Sequence, residues 1–530
     1  MKKKTSISFN KIRLFRKLIR DFTNLDSKLN PFLQSFVSLN AIKANLNIDK
    51  PNRDSFSNII KAQYDQTNFF NSNMSNVYLN ISKLSKNNVY TITTGHQLNI
   101  FLSPLFLIYK IISVIAYANY LNHKIKGHHF VPCFWMATED HDFDEIKSLN
   151  LYGDNYHWDL TTKDAVGNLA SESILNILSE IKDSLLQSSY GQELFSIYNY
   201  AYSNNKNYAN ATRSVLSSLF GDYGLVVVDG NNAQFKKMFA PYLKEEFKSS
   251  CVYNNVSETN KSLKINYRPE INAMKNNIFY LKNNIRSKIQ FNQTHYFSID
   301  HNQSWSKDQL LDEISSFPER FSPNVFLRTL YQECIMPNIL YLGGPSEISY
   351  WIQLKKLFQA MDIDYPLLEL RAHFLFLSKD QSDIITKLNL NEDHLFHSYD
   401  EKIKHILQKE SMINFDDDYL VFQNQLIKME QKMNTMKGFP INSLRVFEKR
   451  LQTEFSRLSS KVLKFEKAQR PNILCQVKSI HETLFPNNST QEKTKSFIPY
   501  YIKYGKGFFD LLIKESPIFD NKYTILTEED

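Results

Sequence analysis

The stretch Glu139-Asp140-His141-Asp142-Phe143-Asp144-Glu145 gathers five carboxylates and one imidazole into seven positions. Carboxylates at that density can hold Mg2+ through oxygen, orient an amine or serve as general bases. Like charges so close raise one another's pKa and call for a counter-charge. The plainer account is that acidic residues favour the first turn of a helix, where the dipole welcomes them. Two glycine turns offer different chemistry. Thr94-Gly95-His96-Gln97 follows the apolar run ending at Thr93, and Gly343-Gly344-Pro345-Ser346-Glu347 follows Asn338 to Leu342. Glycine lets a ligand approach the backbone closely. A helix start just beyond it presents N–H groups to an anion such as phosphate. Arg328 and Arg371 flank the same strands. Each can grip a carboxylate or phosphate with two parallel hydrogen bonds, or pair with Glu333 and Glu347. No zinc site is expected, since His128, His129 and His141 lack i, i+4 spacing and no thiol pair completes a tetrahedral set.

These residues are far apart in sequence, so a common scaffold must bring them together. Val89 to Thr93 alternates β-branched and aromatic residues and reads as a buried strand. Ser103-Pro104 reads as a serine N-cap with proline at the first helical position. The helix it opens carries two apolar rows, Leu105, Ile108, Ile112, Ile115 and Leu107, Ile111, Val114, Ala118, as for a helix lying on a sheet. His129 to Ala137, Leu225 to Asp229, Asn338 to Leu342 and Tyr365 to Leu377 are further strands, the last interrupted by Arg371. Near-continuous apolar strands joined by helices predict a parallel α/β sheet covered on both faces. Ligands bind beyond the carboxyl ends of such strands, where all three clusters fall.

Around this core, residues 86–378, the remaining segments take other patterns. Residues 1–85 read as helical, with an apolar stripe of Ile12, Phe15, Leu18, Ile19 and Phe22 packing on the core. The stretches 150–220 and 250–325 are rich in Asn, Ser and Lys and read as insertions. A hairpin of Asn277 to Tyr280 and Ile285 to Ile289 is expected around Asn283-Asn284. Within 379–482, Phe422, Leu426, Met429, Met433 and Met436 are spaced 4-3-4-3, and Leu444 to Phe465 repeats much the same spacing. This predicts an antiparallel helical coiled coil turning at Gly438-Phe439-Pro440, its outer seam left for a homodimer contact. Residues 483–530, dense in aromatic side chains, are expected to return to the core.

The 530-residue chain is 42% hydrophobic and carries a net charge of +8, with no concentrated basic face. A nucleic-acid partner is therefore not expected. The four cysteines are far apart and form no Cys-x-x-Cys, which fits a reducing cytoplasm. Arg13 and Arg16 interrupt any signal-peptide core, and Leu105 to Leu121 is at or below membrane-spanning length with Lys110 inside it. A soluble cytoplasmic protein without membrane contact is expected.

Several motifs together point to one family. They are Thr93-Thr94-Gly95-His96-Gln97, Pro104-Leu105 with Tyr109-Lys110, and Val131-Pro132 with Phe134-Trp135-Met136-Ala137 and Glu139-Asp140-His141-Asp142. Asn324-Val325 with Arg328 and Tyr331-Gln332-Glu333 follows. Then come Tyr341 with Gly343-Gly344-Pro345, Glu347-Ile348 and Tyr350-Trp351, and Leu484-Phe485-Pro486 with Gln491-Glu492. In this order they resemble the bacillithiol-synthesis cysteine-adding family, BshC. Departures are Thr329 and Leu370, where proline is usual, Ser346, where glycine is usual, and Lys493, where arginine is usual.

The resemblance implies a Rossmann-like core related to class I nucleotidyltransferases, whose His-x-Gly-His signature Gly95-His96 half matches with Thr93 in the first place. It also implies a dimerising coiled coil. The implied activity joins L-cysteine to glucosaminyl-malate through an amide. ATP with Mg2+ is the expected driver, and no tightly bound cofactor is evident. On this reading Thr94 to Gln97 holds phosphate and His96 stabilises charge. Glu139, Asp140 and Asp142 hold the cysteine ammonium or accept a proton, with His141 as alternative base. Arg328 faces the malate carboxylates. Thr93, Tyr109, Lys110, Trp135, Gly343, Gly344, Pro345, Glu347, Tyr350, Trp351 and Arg371 complete the expected pocket. Two rival readings are an adenylating enzyme for another carboxylate and a non-catalytic dimeric scaffold.

Overall fold

The computed structural model describes residues 2–528 except 13, 47–51, 71–72, 284, 411–414 and 437–441. The chain opens with strand β1 (Lys2–Ser8) rather than a helix, and the first helix is the short Lys17–Thr23. The expected helical stripe therefore begins late: Leu18, Ile19 and Phe22 are helical, whereas Ile12 lies in a tight turn. The reason is pairing. β1 runs antiparallel to a distant strand whose partners outweigh local helical spacing.

The core strands are β2 (Val89–His96), β3 (His129–Met136), β6 (Val226–Asp229), β13 (Asn338–Gly343) and β14 (Leu367–Leu370). They form a five-stranded sheet in the order β14-β13-β2-β3-β6, parallel throughout. Such a sheet is apolar on both faces, as the runs of β-branched and aromatic residues demand. The Leu105–Lys124 helix lies against it, with both expected rows buried. It is long and apolar enough to cross a membrane but is largely buried inside the protein.

Two features of this sheet differ from expectation. β2 continues through Thr94, Gly95 and His96, which pair with Phe134, Trp135 and Met136 of β3, so this segment is strand and not loop. A Cβ on Gly95 would lie 3.2 Å from the Trp135 carbonyl oxygen, so strand packing accounts for this glycine. The helix begins at Leu105, and Ser103 makes no capping hydrogen bond to it. The Leu105 N–H donates instead to the Lys495 carbonyl at 2.8 Å.

The run from Tyr365 to Leu377 splits between two sheets. β14 closes the core sheet, whereas β15 (His373–Leu377) joins β16 (Lys522–Thr527) and β1 in a three-stranded sheet. Ile7, Phe9 and Ile12 thereby enter a second apolar core with Leu375, Leu377, Ile406, Val477, Ile480 and Ile525.

The insertions carry smaller sheets. β4 (Ser148–Leu151) and β5 (Asp154–His157) form a hairpin. β7 (Ile278–Lys282) pairs with β8 (Ile285–Lys288) and with β12 (Phe321–Pro323), and Asn283 takes a positive φ of 51° at the turn. Asn284 lies outside the described residues. β9 (Gln290–Phe291), β10 (Tyr296–Ser298) and β11 (Gln303–Trp305) form a third small sheet. Two long helices, Asp416–Met433 and Asn442–Gln469, project from the body and meet through Phe422 and Phe455, whose rings are 5.4 Å apart. The expected turn at Gly438 to Pro440 lies outside the described residues.

Candidate active site

A cavity of 410 Å³ opens beyond the carboxyl ends of β2 and β3. Gly95, His96, Gln97, Trp135, Glu139 and Asp140 line it from these strands, and Arg328, Glu347 and Tyr350 line it from later in the chain. The hairpin insertion adds Phe279 and Arg286.

Each side chain has a structural reason for its place. Asn324 caps the Val325–Ile335 helix by accepting from the N–H groups of Phe326 and Leu327, which sets Arg328 in the first turn. Arg328 donates to the Tyr350 hydroxyl at 3.0 Å and forms no ion pair among the described residues. Glu347 caps its own helix, accepting from the Gly344 N–H at 2.7 Å. The same carboxylate meets the Lys110 ammonium at 2.6 Å. Burial favours the neutral acid, but Lys110 outweighs it and holds Glu347 below the usual carboxylate range.

Lys110 also donates to the Gly95 carbonyl at 2.7 Å and contacts His96 Nδ1 at 3.3 Å. An ammonium can only donate, so Nδ1 must accept and the proton of the neutral ring sits on Nε2. Burial first, then the Lys110 charge, hold the His96 pKa well below the ordinary value. His96 is thus a neutral hydrogen-bond donor and a poor base.

Asp140 Oδ2 accepts from Gln97 Nε2 at 2.7 Å, and Oδ1 accepts from the His141 N–H at 2.8 Å. Burial would raise its pKa, but hydrogen bonds from His141 and Gln97 and the Arg286 charge carry it well below the usual range. Asp140 is a permanent anion. Glu139 is ion-paired with the buried Lys236 and accepts from Ser322 Oγ at 3.3 Å.

Arg286 escapes sequence reasoning as a site residue. It falls in the second strand of the expected hairpin, within a polar insertion, and no chemical motif marks it. In the fold it donates to Ser322 Oγ and the Pro323 carbonyl at 3.0 and 3.1 Å, lies 3.9 Å above the Phe279 ring and meets His141 Nδ1 at 2.8 Å.

Other expected site residues lie elsewhere. Asp142 is exposed and does not line the cavity, and His141 is exposed beside it with Nδ1 occupied by Arg286. The Thr93 hydroxyl is buried and donates to Asn338 Oδ1 at 2.7 Å, while Thr94 is buried within β2. Tyr109 donates to the Phe374 carbonyl at 3.4 Å, and Trp351 packs against Tyr341 with the rings tilted by 35°. Lys110 is buried behind the wall and acts through its partners. Arg371 forms a buried two-pronged pair with Glu492, both contacts at 3.0 Å, so neither Glu333 nor Glu347 is its partner. Gly343, Gly344 and Pro345 do not line the cavity, and the Gly344 N–H is committed to Glu347. Ser346 sits exposed in the first helical turn, without a positive φ, so its replacement of glycine costs the loop nothing. Gly95 and Asp140 therefore share one cavity, and the second glycine turn reaches it through Glu347.

Comparison with known proteins places the whole chain. Residues 1–372 match the model described as "Bacillithiol biosynthesis BshC, N-terminal Rossmann-like domain". Residues 374–528 match "Bacillithiol biosynthesis BshC, C-terminal coiled-coil domain". Relatives named "Putative cysteine ligase BshC" include one from Flavobacterium johnsoniae, 35% identical over 98% of this chain and 99% of its own. One from Christiangramia forsetii is 32% identical over 98% of each chain. One from Flavobacterium psychrophilum is 34% identical over 94% of this chain and 95% of its own.

Proposed function

The chain belongs to the bacillithiol biosynthesis BshC family, and from that premise we propose that it ligates L-cysteine to glucosaminyl-malate through an amide bond, driven by ATP. One observation carries this reading. A single cavity at the strand ends presents an ionised carboxylate, Asp140, together with an Arg328 guanidinium that forms no ion pair among the described residues. An amino acid brings both an ammonium and a carboxylate, and such a wall answers both.

Asp140 holds the cysteine ammonium, and Gln97 fixes the carboxylate that does so. Arg328 and Arg286 hold anionic groups, carboxylate or phosphate. His96 donates from Nε2 to the oxygen on which charge develops, since its tautomer is set by Lys110. Trp135, almost wholly buried, adds an apolar surface to the cavity wall. When the glucosamine nitrogen bonds to the activated cysteine carbonyl carbon, the bond from that carbon to its phosphate-bearing oxygen breaks and the phosphate leaves, while Glu139 takes up the amine proton, with Lys236 beside it to balance charge.

The donor set of Arg286, Arg328 and His96 suits polyphosphate. ATP, when bound, supplies the carboxyl activation that amide formation at neutral pH requires. Among the described residues no group of three or more His, Cys, Asp or Glu side chains gathers to hold a metal. A Mg2+ ion that arrives with the phosphates needs no protein cage. The enzyme acts in the cytoplasm as a homodimer through the projecting helices, whose surface exposes Val446, Phe447, Leu458 and Phe465.

The test is direct. Purified protein is incubated with cysteine, glucosaminyl-malate and ATP, and thiol product is followed by mass spectrometry. Product formed in step with ATP consumption is expected. ATP consumption with other carboxylates but never with cysteine would overturn the assignment.

A further inference from the structure

A second cavity, of 420 Å³, shares His96 and Gln97 with the first as lining residues. Its remaining wall is of a different kind. Asn99, Ser103, Asn155 and Thr494 supply neutral amides and hydroxyls. Lys493 and Glu145 are its charged lining residues. Phe106, edge-on to the His96 ring at 4.9 Å, adds an apolar face.

One atom here asks for a ligand. Asn99 is only 6% exposed. Its Nδ2 donates to the Glu145 carbonyl at 3.0 Å, while its Oδ1 is buried with no hydrogen-bond partner. A buried acceptor left unpaired is costly, and a donor brought by a ligand would relieve that cost. Amides and hydroxyls beside an aromatic face match a sugar, whose hydroxyls both donate and accept while its C–H face packs on the ring.

We propose that this second cavity is the acceptor subsite, taking the polyhydroxyl sugar of the amine-bearing substrate, with Asn99 Oδ1 accepting from one of its hydroxyls and Lys493 facing its acid end. The charged cavity then serves the amino acid and nucleotide, and the two substrates meet at His96 and Gln97. This rests on the ligase reading above and names where the second substrate sits.

Binding of glucosaminyl-malate and of ATP to the full chain is measured separately by titration calorimetry. Asn155→Trp, at an exposed hairpin position, fills the cavity without disturbing the core. Asn99→Leu removes the unpaired acceptor. Both variants are expected to weaken glucosaminyl-malate binding by tenfold or more and to leave ATP binding within twofold. Unchanged glucosaminyl-malate affinity in Asn155→Trp overturns the subsite while the ligase reading stands. Equal loss of ATP affinity in Asn155→Trp overturns it too. A parent protein that binds no glucosaminyl-malate overturns both.

Discussion

The Lys110 ammonium lies 2.6 Å from the Glu347 carboxylate and 2.7 Å from the Gly95 carbonyl, so one buried cation ties the end of β2 to the helix that follows β13. Removing one partner leaves the other charge buried and uncompensated. Lys110→Met or Glu347→Gln is expected to lose about 3 kcal/mol in urea unfolding, with the double variant losing less than the sum. Additive losses would show that the two do not act as a pair.

His96 is neutral across the physiological range, because burial and the Lys110 charge disfavour its protonation. Its folded pKa is depressed, so its contribution to stability is present above its unfolded value, about pH 6.5, and is lost as pH falls below it. The pH profile of kcat/KM is therefore expected to show no acid limb near 6.5 from this residue. His96→Ala should reduce ligation about 100-fold. Wild-type rates in that variant would remove it from the mechanism.

Arg286 and Arg328 should separate in kinetics from the coiled coil and the distant core. Arg328→Met and Arg286→Met are each expected to lower kcat/KM by about 10- to 100-fold, the scale of one charge-assisted contact. Circular dichroism should be unchanged. Full activity in both variants would leave the cavity without its anion-binding role.

Glu369 is buried in β14, and burial pushes its pKa up to about 7, against hydrogen bonds from the Leu370 N–H and Tyr117. A raised carboxyl pKa means that folding favours the protonated form. Stability is then highest below about pH 4.5 and falls as pH rises toward 7. Glu369→Gln should match the parent at pH 5 and exceed it at pH 8, by on the order of 3 kcal/mol. A parallel pH dependence in both proteins would contradict the buried acid.

The projecting helices leave Phe447 and Leu458 exposed. Phe447→Glu with Leu458→Glu is expected to convert a dimer to a monomer in sedimentation equilibrium, with the cavity residues untouched. A monomeric parent chain would rule out the dimer.

The core sheet was legible because its strands are buried on both faces and so read as unbroken apolar runs. What those runs cannot say is where one sheet stops. Leu370 and His373 belong to one apolar stretch, yet Arg371 turns the chain between two sheets, anchored by its N–H to the Gly343 carbonyl. The two-pronged contact expected of Arg371 does exist, but with Glu492, a partner 121 positions away that no local pattern reveals. The acidic cluster was visible as a group, though only its first two members line the cavity. Which carboxylates face inward is set by the short turn after β3. β1 hid in a lysine-rich stretch, because an outer strand needs no alternating apolar code.

β16 lies between β1 and β15, with Ser6 opposite Thr524 and Phe374 beside the same residue. The ribosome must therefore deliver residues 522–527 before this sheet can close. Until then β1 and β15 wait with open edges, and a nascent chain stalled near residue 500 would expose them to proteases and to self-association.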